Sequence, residues 1–362
     1  MVAMRDKDKE REERRAAALR ENLKRRKTQA RSLKDGERTN SGDADAQLDS
    51  AMKLLVQART AMDLQRAVDI IEAGSAAGHA RATEQCALLE CVGVGRPVNW
   101  TKALDSLQQA AEQGSTSAAR QLMLFADPNG NTVSPESPSP DFWCNLRGDI
   151  DERVMLAARE GQTATERPYV GVFQKFAGAA ECRWLIDTAR ERLGPSTVYD
   201  HVNGGLRPDP RRTSRAAMFT FDRVDLVVEA IRARIAASLS LPLPHFEASQ
   251  VLHYGPGQEF KPHHDYFDPA SEGFQEEISM RGQRVATFII YLNDEFTGGE
   301  TRFPSLGFNY RGSIGDAIAF LSVGRDGQVD PLTLHAGLPP ASGEKWIFSQ
   351  WVRDRAIAGQ SA

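Results

Sequence analysis

Cysteine is scarce in this chain of 362 residues, and the few cysteines do not pair. Cys86, Cys91, Cys144 and Cys182 are scattered and form no Cys-x-x-Cys motif. They suit a reducing compartment and read as small buried hydrophobes. No apolar run approaches the roughly 20 residues that a membrane-spanning helix needs, so no membrane partner is expected. The opening residues, Met1 to Glu10, lack the apolar core of a signal peptide, and a cytoplasmic location is the expectation. Aromatic residues make up only 7% of the chain. The C-terminal half has no interleaved basic and aromatic run of the kind that grips a nucleic-acid strand. The net charge of −4 selects no class of partner by itself.

What is present divides along the chain. At 41% hydrophobic and 26% charged, it reads as a globular protein with room for two domains. Residues 1–38 carry 14 Lys/Arg against 8 Asp/Glu, including Lys24-Arg25-Arg26-Lys27. Large apolar residues are nearly absent there, so residues 1–46 are expected to be a charged arm, disordered or a solvated helix, that buries no core. The arm is either a solubilising tail or a contact for nucleic acid or an acidic partner. Interleaved acidic residues and the lack of aromatics for base stacking favour the tail.

Residues 47–127 change character. Alanine is frequent, apolar residues recur at helical spacing, and glycines mark the breaks. Gly78-His79-Ala80-Arg81-Ala82 and Gly114-Ser115-Thr116-Ser117-Ala118 match at an offset of 36 residues. An array of about two repeats is short, so it leans on a neighbour to bury its apolar faces. It is either a structural cap or a protein-binding groove. Residues 128–165 read as a Pro-rich linker with room for one helix in 142–162. A second domain of strands and helices follows over 166–356, with an amphipathic helix at Cys182–Leu193, and residues 357–362 form a tail.

The second domain carries the chemistry. His263 and Asp265 are two residues apart in a strand-like segment, which would aim both at one face. His335 arrives from a distant segment. Two imidazoles and a carboxylate leave one face of an octahedral metal open, the arrangement of non-haem Fe(II) oxygenases. Lys345 follows ten residues after His335 and supplies a cation for an acidic co-substrate.

The flanking residues extend the pattern. They run Glu247-Ala-Ser-Gln-Val-Leu-His253-Tyr254-Gly-Pro-Gly-Gln-Glu-Phe260-Lys-Pro-His263-His264-Asp265-Tyr-Phe, then Arg284-Val-Ala-Thr287-Phe-Ile-Ile-Tyr-Leu-Asn. Gly298-Gly299-Glu300-Thr301-Arg-Phe-Pro, Gly315-Asp316-Ala-Ile-Ala-Phe and Leu334-His335-Ala-Gly-Leu-Pro-Pro-Ala-Ser-Gly-Glu-Lys345-Trp follow. Over residues 166–355, about half the chain, this resembles the prolyl 4-hydroxylase family of 2-oxoglutarate/Fe(II) dioxygenases. Residues 47–127 are similar to Sel-like, tetratricopeptide-type repeats.

The first resemblance implies a double-stranded β-helix, or jelly roll, with flanking helices, preceded here by the short α-helical repeat domain. It implies His263, Asp265 and His335 as iron ligands, and Lys345 as partner of the distal carboxylate of 2-oxoglutarate. Tyr254 and Thr287 match positions whose hydroxyls line that pocket. Arg212 and Trp351 match positions near the substrate mouth. Fe(II), 2-oxoglutarate and O₂ are then required, with ascorbate as a reductant. The implied reaction is hydroxylation of an aliphatic C–H, that of a prolyl residue in a protein or peptide, with release of succinate and CO₂. A free amino acid, a small metabolite or an alkylated nucleic acid are alternative substrates, and a repeat-based binding protein with an inert jelly roll is the alternative outside enzymes.

Other residues near the site read as structural. His264 should face away from its two neighbours, and His253 should point away from Tyr254. Asp316 is a turn residue, and Gly298-Gly299 a hairpin turn with positive φ. The segment 268–284 is a lid over the substrate. Phe260 stands where a tyrosine hydroxyl would flank a peptide groove. If Lys345 is not the anchor, Arg353 is the next basic residue to test. None of the proposed ligands lies in the helical half, so a chain starting near Thr163 is expected to fold alone.

Overall fold

The computed structural model describes residues 43–357, apart from 59, 129, 133–134, 200–205, 209 and 325. The charged arm, but for its last few residues, and the end of the C-terminal tail lie outside the described residues.

Helical residues 43–57 are followed by helices Ala61–Ala76, Ala80–Val92, Trp100–Glu112 and Thr116–Ala126. Each of these four starts where a side chain accepts a backbone N–H of the first turn: Thr60, His79, Asn99 and Ser115. The 36-residue offset has a structural basis. Gly78 (φ 83°) and Gly114 (φ 97°) both take the left-handed turn that ends one helix, and the next residue caps the following one.

The stretch read as a linker carries two helices rather than one, Pro140–Gly148 and Glu152–Leu156, and a strand, Gln162–Glu166. Ser139 caps the first and Pro140 opens it. Trp143, Leu146 and Met155 are buried, so the segment is packed rather than free. The amphipathic helix runs Ala179–Arg190, three residues earlier than its periodicity suggests. The Glu181 carboxylate reaches back to the Gly178 N–H (2.8 Å) and sets the start.

An eight-stranded antiparallel sheet forms the body. Its order is Gln162–Glu166, Tyr169–Phe173, Ala317–Leu321, Arg284–Tyr291, Lys345–Arg353, Ser249–Tyr254, Arg215–Phe219 and Gly194–Pro195. A four-stranded sheet runs Phe308–Tyr310, Thr301–Phe303, His335–Gly337 and Phe260–His263. Strand alternation divides the large sheet into two faces. Leu252, Tyr254, Ile289, Tyr291 and Ile347 meet Phe303 and Phe260 of the small sheet in one apolar cluster. Val251, Phe288, Ile290 and Phe348 point the other way, toward the helices. Gly298 and Gly299 do have positive φ (69° and 72°), but they make no hairpin. The strand before them pairs with Pro340–Gly343 and the strand after them joins the four-stranded sheet, so the glycines carry the chain from one sheet to another.

One apolar core runs from the helices into the sheet. Leu104, Leu107, Leu122 and Phe125 belong to the same buried cluster as Val227, Ile231, Phe288 and Phe348. A buried polar joint crosses the same boundary: the Gln121 amide accepts from the Leu226 N–H (3.0 Å) and donates to Glu84 (2.8 Å). The amide is satisfied from both sides, as a buried polar group must be. This shared core argues against independent folding of a chain that starts near Thr163.

Candidate active site

His263 ends the strand Phe260–His263, and Asp265 lies in the bend just beyond it, so the bend rather than strand alternation aims the carboxylate. His335 opens the strand that pairs with it, and His263 and His335 are direct register partners. Nitrogen and oxygen atoms of the three residues all lie within 4.8 Å of one another. Nε2 of His263 is 3.5 Å from Asp265 Oδ1, and Nε2 of His335 is 3.5 Å from Asp265 Oδ2.

The tautomers are set by the backbone. Nδ1 of His263 lies 2.8 Å from the Lys261 carbonyl, and Nδ1 of His335 lies 3.0 Å from the Thr333 carbonyl. Only a donor satisfies a carbonyl, so Nδ1 of each ring carries a proton, and each Nε2 is left facing Asp265. Burial, reinforced by His263, pushes the His335 pKa down to about 4, so its ring is neutral near pH 7. Burial alone would raise the Asp265 pKa, but the facing His335 and His263 and then Arg284 outweigh it and hold the carboxyl below the usual carboxylate range. The Thr287 hydroxyl donates to Asp265 Oδ2 (2.7 Å) and fixes its rotamer. Two imidazoles and a carboxylate make a donor set that fits a divalent iron.

The pocket beside this cluster is lined by Tyr254, Thr301, Lys345, Ile347 and Ser349, among others. Lys345 is fully buried, and its ammonium sits 5.3 Å and 5.4 Å from the ring centres of Tyr254 and Tyr291. Burial pushes its pKa down to about 7, with Glu300 offsetting part of the effect. A buried cation of this kind calls for an anionic partner. Burial raises the Tyr254 pKa, so this phenol stays a neutral hydroxyl.

Trp351 also lines the pocket, and its Nε1 is buried without a hydrogen-bond partner. The Arg284 guanidinium stacks 3.7 Å from the Trp351 ring centre and donates to both carboxylate oxygens of Glu247 (2.7 and 2.8 Å). Burial raises the Glu247 pKa, but Arg284 and Arg353 outweigh it and bring it down to about 2. Arg212 is buried, lies 5.0 Å from the Phe260 ring centre and donates to Gln250 (3.2 Å). Phe260 itself stacks on His263, ring centres 3.4 Å apart.

All eight sequence-derived site residues, His263, Asp265, His335, Lys345, Tyr254, Thr287, Arg212 and Trp351, line this one pocket. His264 instead meets the Pro331 carbonyl (3.0 Å), His253 packs on Trp346 (4.4 Å between ring centres), and Asp316 accepts the Lys175 and Ser313 N–H groups. Arg353 is not an alternative anchor, because its guanidinium is spent on Glu247, Glu277 and the Gly282 carbonyl. Cys144 is exposed, unlike the other three cysteines. Thr301 and Ser349 also line the pocket, beyond the residues that the sequence singles out. Thr301 lies two residues after the glycine pair, a local signal in the sequence, whereas nothing local marks Ser349.

Residues 249–353 match the family described as the 2OG-Fe(II) oxygenase superfamily. Over 231 residues the chain is 38% identical to "Prolyl 4-hydroxylase 1" of Arabidopsis thaliana, covering 60% of this chain and 79% of that protein. It is 35% identical over 257 residues to "Probable prolyl 4-hydroxylase 8" of the same plant, covering 64% of this chain and 85% of the relative. Among solved structures, the viral collagen prolyl hydroxylase of Paramecium Bursaria Chlorella virus-1 in its 2OG complex is 29% identical, with a TM-score of 0.41 and coverage of 52% of this chain and 98% of that one.

Proposed function

Because the chain belongs to the prolyl 4-hydroxylase family of 2OG-Fe(II) oxygenases, we propose that it hydroxylates a prolyl residue of a protein or peptide. As a member it is an enzyme that requires Fe(II), 2-oxoglutarate and O₂ and releases succinate and CO₂. The observation that carries the residue assignments is the convergence of His263, Asp265 and His335 beside buried Lys345 in one pocket. In this reading the three residues hold the iron, and Fe(II) supplies the activation of O₂ that no side chain can provide.

The chain's own residues do the rest. Lys345 pairs with the distal carboxylate of 2-oxoglutarate, and the neighbouring Tyr254 hydroxyl lines the same end. Thr287 holds Asp265 in its rotamer. The free Trp351 Nε1–H is a donor for a carbonyl of the incoming peptide, and Arg212 lines the same pocket. The two facing sheets read as a double-stranded β-helix, with ascorbate as the reductant. The paired helices over 61–126 read as Sel-like repeats acting as a cap, which the shared core favours over a free binding groove.

The test is to incubate the protein with Fe(II), 2-oxoglutarate and a short proline peptide, and to measure peptide mass and succinate. A gain of one oxygen per succinate on the peptide supports the reading. A gain on free proline, with none on the peptide, moves the substrate to a small molecule.

Two outcomes follow for Lys345. Lys345→Ala should keep the iron and weaken 2-oxoglutarate binding by roughly ten- to a hundredfold, since a hydrogen bond to a charged group contributes about 1.5–3 kcal/mol. Calorimetric titration measures this directly, and unchanged affinity would move the anchor elsewhere. The wild type should also bind 2-oxoglutarate less well as pH rises. Lys345 is pushed down to about 7 in the free protein, and an anion beside it raises that value again. Binding therefore takes up a proton above pH 7, so affinity is full below pH 7 and falls by up to about tenfold per unit above it. A flat profile from pH 6 to 9 contradicts the assignment.

A further inference from the structure

The helix Glu272–Arg281 follows the Asp265 segment directly, yet none of its residues is fully buried. Apolar packing alone therefore gives it little hold on the body. Besides Phe274, which packs on Phe267, what holds it is polar. Arg353, at the end of the Lys345–Arg353 strand and 1% exposed, donates to Glu277 Oε1 (2.8 Å), to the Gly282 carbonyl at the end of the helix (2.6 Å) and to Glu247 Oε1 (2.5 Å). Glu247 in turn binds Arg284, which stacks on Trp351.

Phe267, two residues past Asp265, packs against both guanidinium groups, 4.9 Å from that of Arg284 and 4.7 Å from that of Arg353. The Gln283 side chain takes both its N–H and its carbonyl (2.8 and 2.6 Å), and Phe274 of the helix packs on its ring at 5.1 Å.

We propose that Glu277 and Arg353 form a latch that holds the Glu272–Arg281 helix against the Trp351 side of the pocket, and that the latch sets how firmly the acceptor substrate is held. Arg353 is then a positioning residue that acts through Glu277 on the helix and through Glu247 and Arg284 on Trp351. A charge-assisted pair at an almost fully buried guanidinium is strong enough for this, where the same pair in water would not be.

The first test is amide hydrogen exchange on the full chain, which needs no substrate. In Glu277→Ala, exchange across 272–283 should rise by about tenfold or more, while the central strand 346–350 stays protected. Glu277→Gln keeps an acceptor oxygen at the same reach and should restore part of the protection. Unchanged exchange across 272–283 would overturn the latch, and an equal rise in the central strand would reduce Glu277 to a general stability role.

The second test rests on the proposed substrate. With a short proline peptide, Glu277→Ala should raise the peptide KM by about tenfold, with kcat less affected and less hydroxylation per succinate formed. A loss confined to kcat overturns the proposal. A wild type that leaves the peptide untouched speaks against the substrate reading, and the exchange measurement then decides the latch alone.

Discussion

His335→Ala should lose bound iron and cut succinate formation by more than about a hundredfold. Even residues that only orient metal ligands typically cost 10- to 100-fold on removal, and a ligand should cost more. The geometry is specific about why. His335 is buried, neutral near pH 7 and pinned by the Thr333 carbonyl, so its Nε2 lone pair has no protein donor and faces Asp265. Its ring also packs on Phe320 and Phe303, with centres 4.6 and 5.7 Å away, so the loss must be separated from misfolding. His335→Gln keeps bulk and polarity without an imidazole lone pair. If it melts with the wild type but retains no iron, the loss belongs to coordination. If either variant keeps wild-type turnover with a measured iron content, His335 is not a ligand.

A chain truncated to begin at Thr163 should fail to reach a native fold. It would lose Leu104, Leu107, Leu122, Phe125, Trp143 and Met155, and strip cover from Val227, Ile231 and their neighbours. Each fully buried large apolar side chain contributes about 1.5–3 kcal/mol. Six of them come to about 9–18 kcal/mol, the same range as the roughly 5–15 kcal/mol by which a domain is stable. The exposed face should also drive association. Gel filtration and near-ultraviolet circular dichroism measure the result, with aggregated or molten protein expected. A monomeric fragment with native spectra and iron-dependent turnover would show that the helices are dispensable, and would return them to a recruiting role.

The residues that meet in the pocket were legible because their signals are local. His263 and Asp265 are two residues apart, Lys345 and Trp351 follow His335 at short fixed distances, and strand alternation separates Tyr254 from His253. The helical repeat was legible for a similar reason, since a glycine at positive φ followed by a capping residue is a short pattern that recurs at Gly78 and Gly114.

What surrounds those residues was decided by the tertiary structure. Thr287 reaches Asp265 across 22 residues of chain, and Glu247 meets Arg353 across 106. Charged residues such as Glu247, Glu277, Arg284 and Arg353 look like ordinary surface positions in a sequence. Only burial makes them partners, because in a low-dielectric interior each charge must find its opposite. The continuity of helices and sheet through one core was hidden in the same way. Periodicity tells which face of a helix is apolar, but not what it packs against. By itself the sequence pointed to the reaction class and to the residues proposed for its centre, through short spacings and the family resemblance that their flanking residues carry. The buried ion pairs, the Nδ1 hydrogen bonds of the two histidines and the packing of the helices on the sheet belong to the folded chain, because they depend on contacts that only packing brings about.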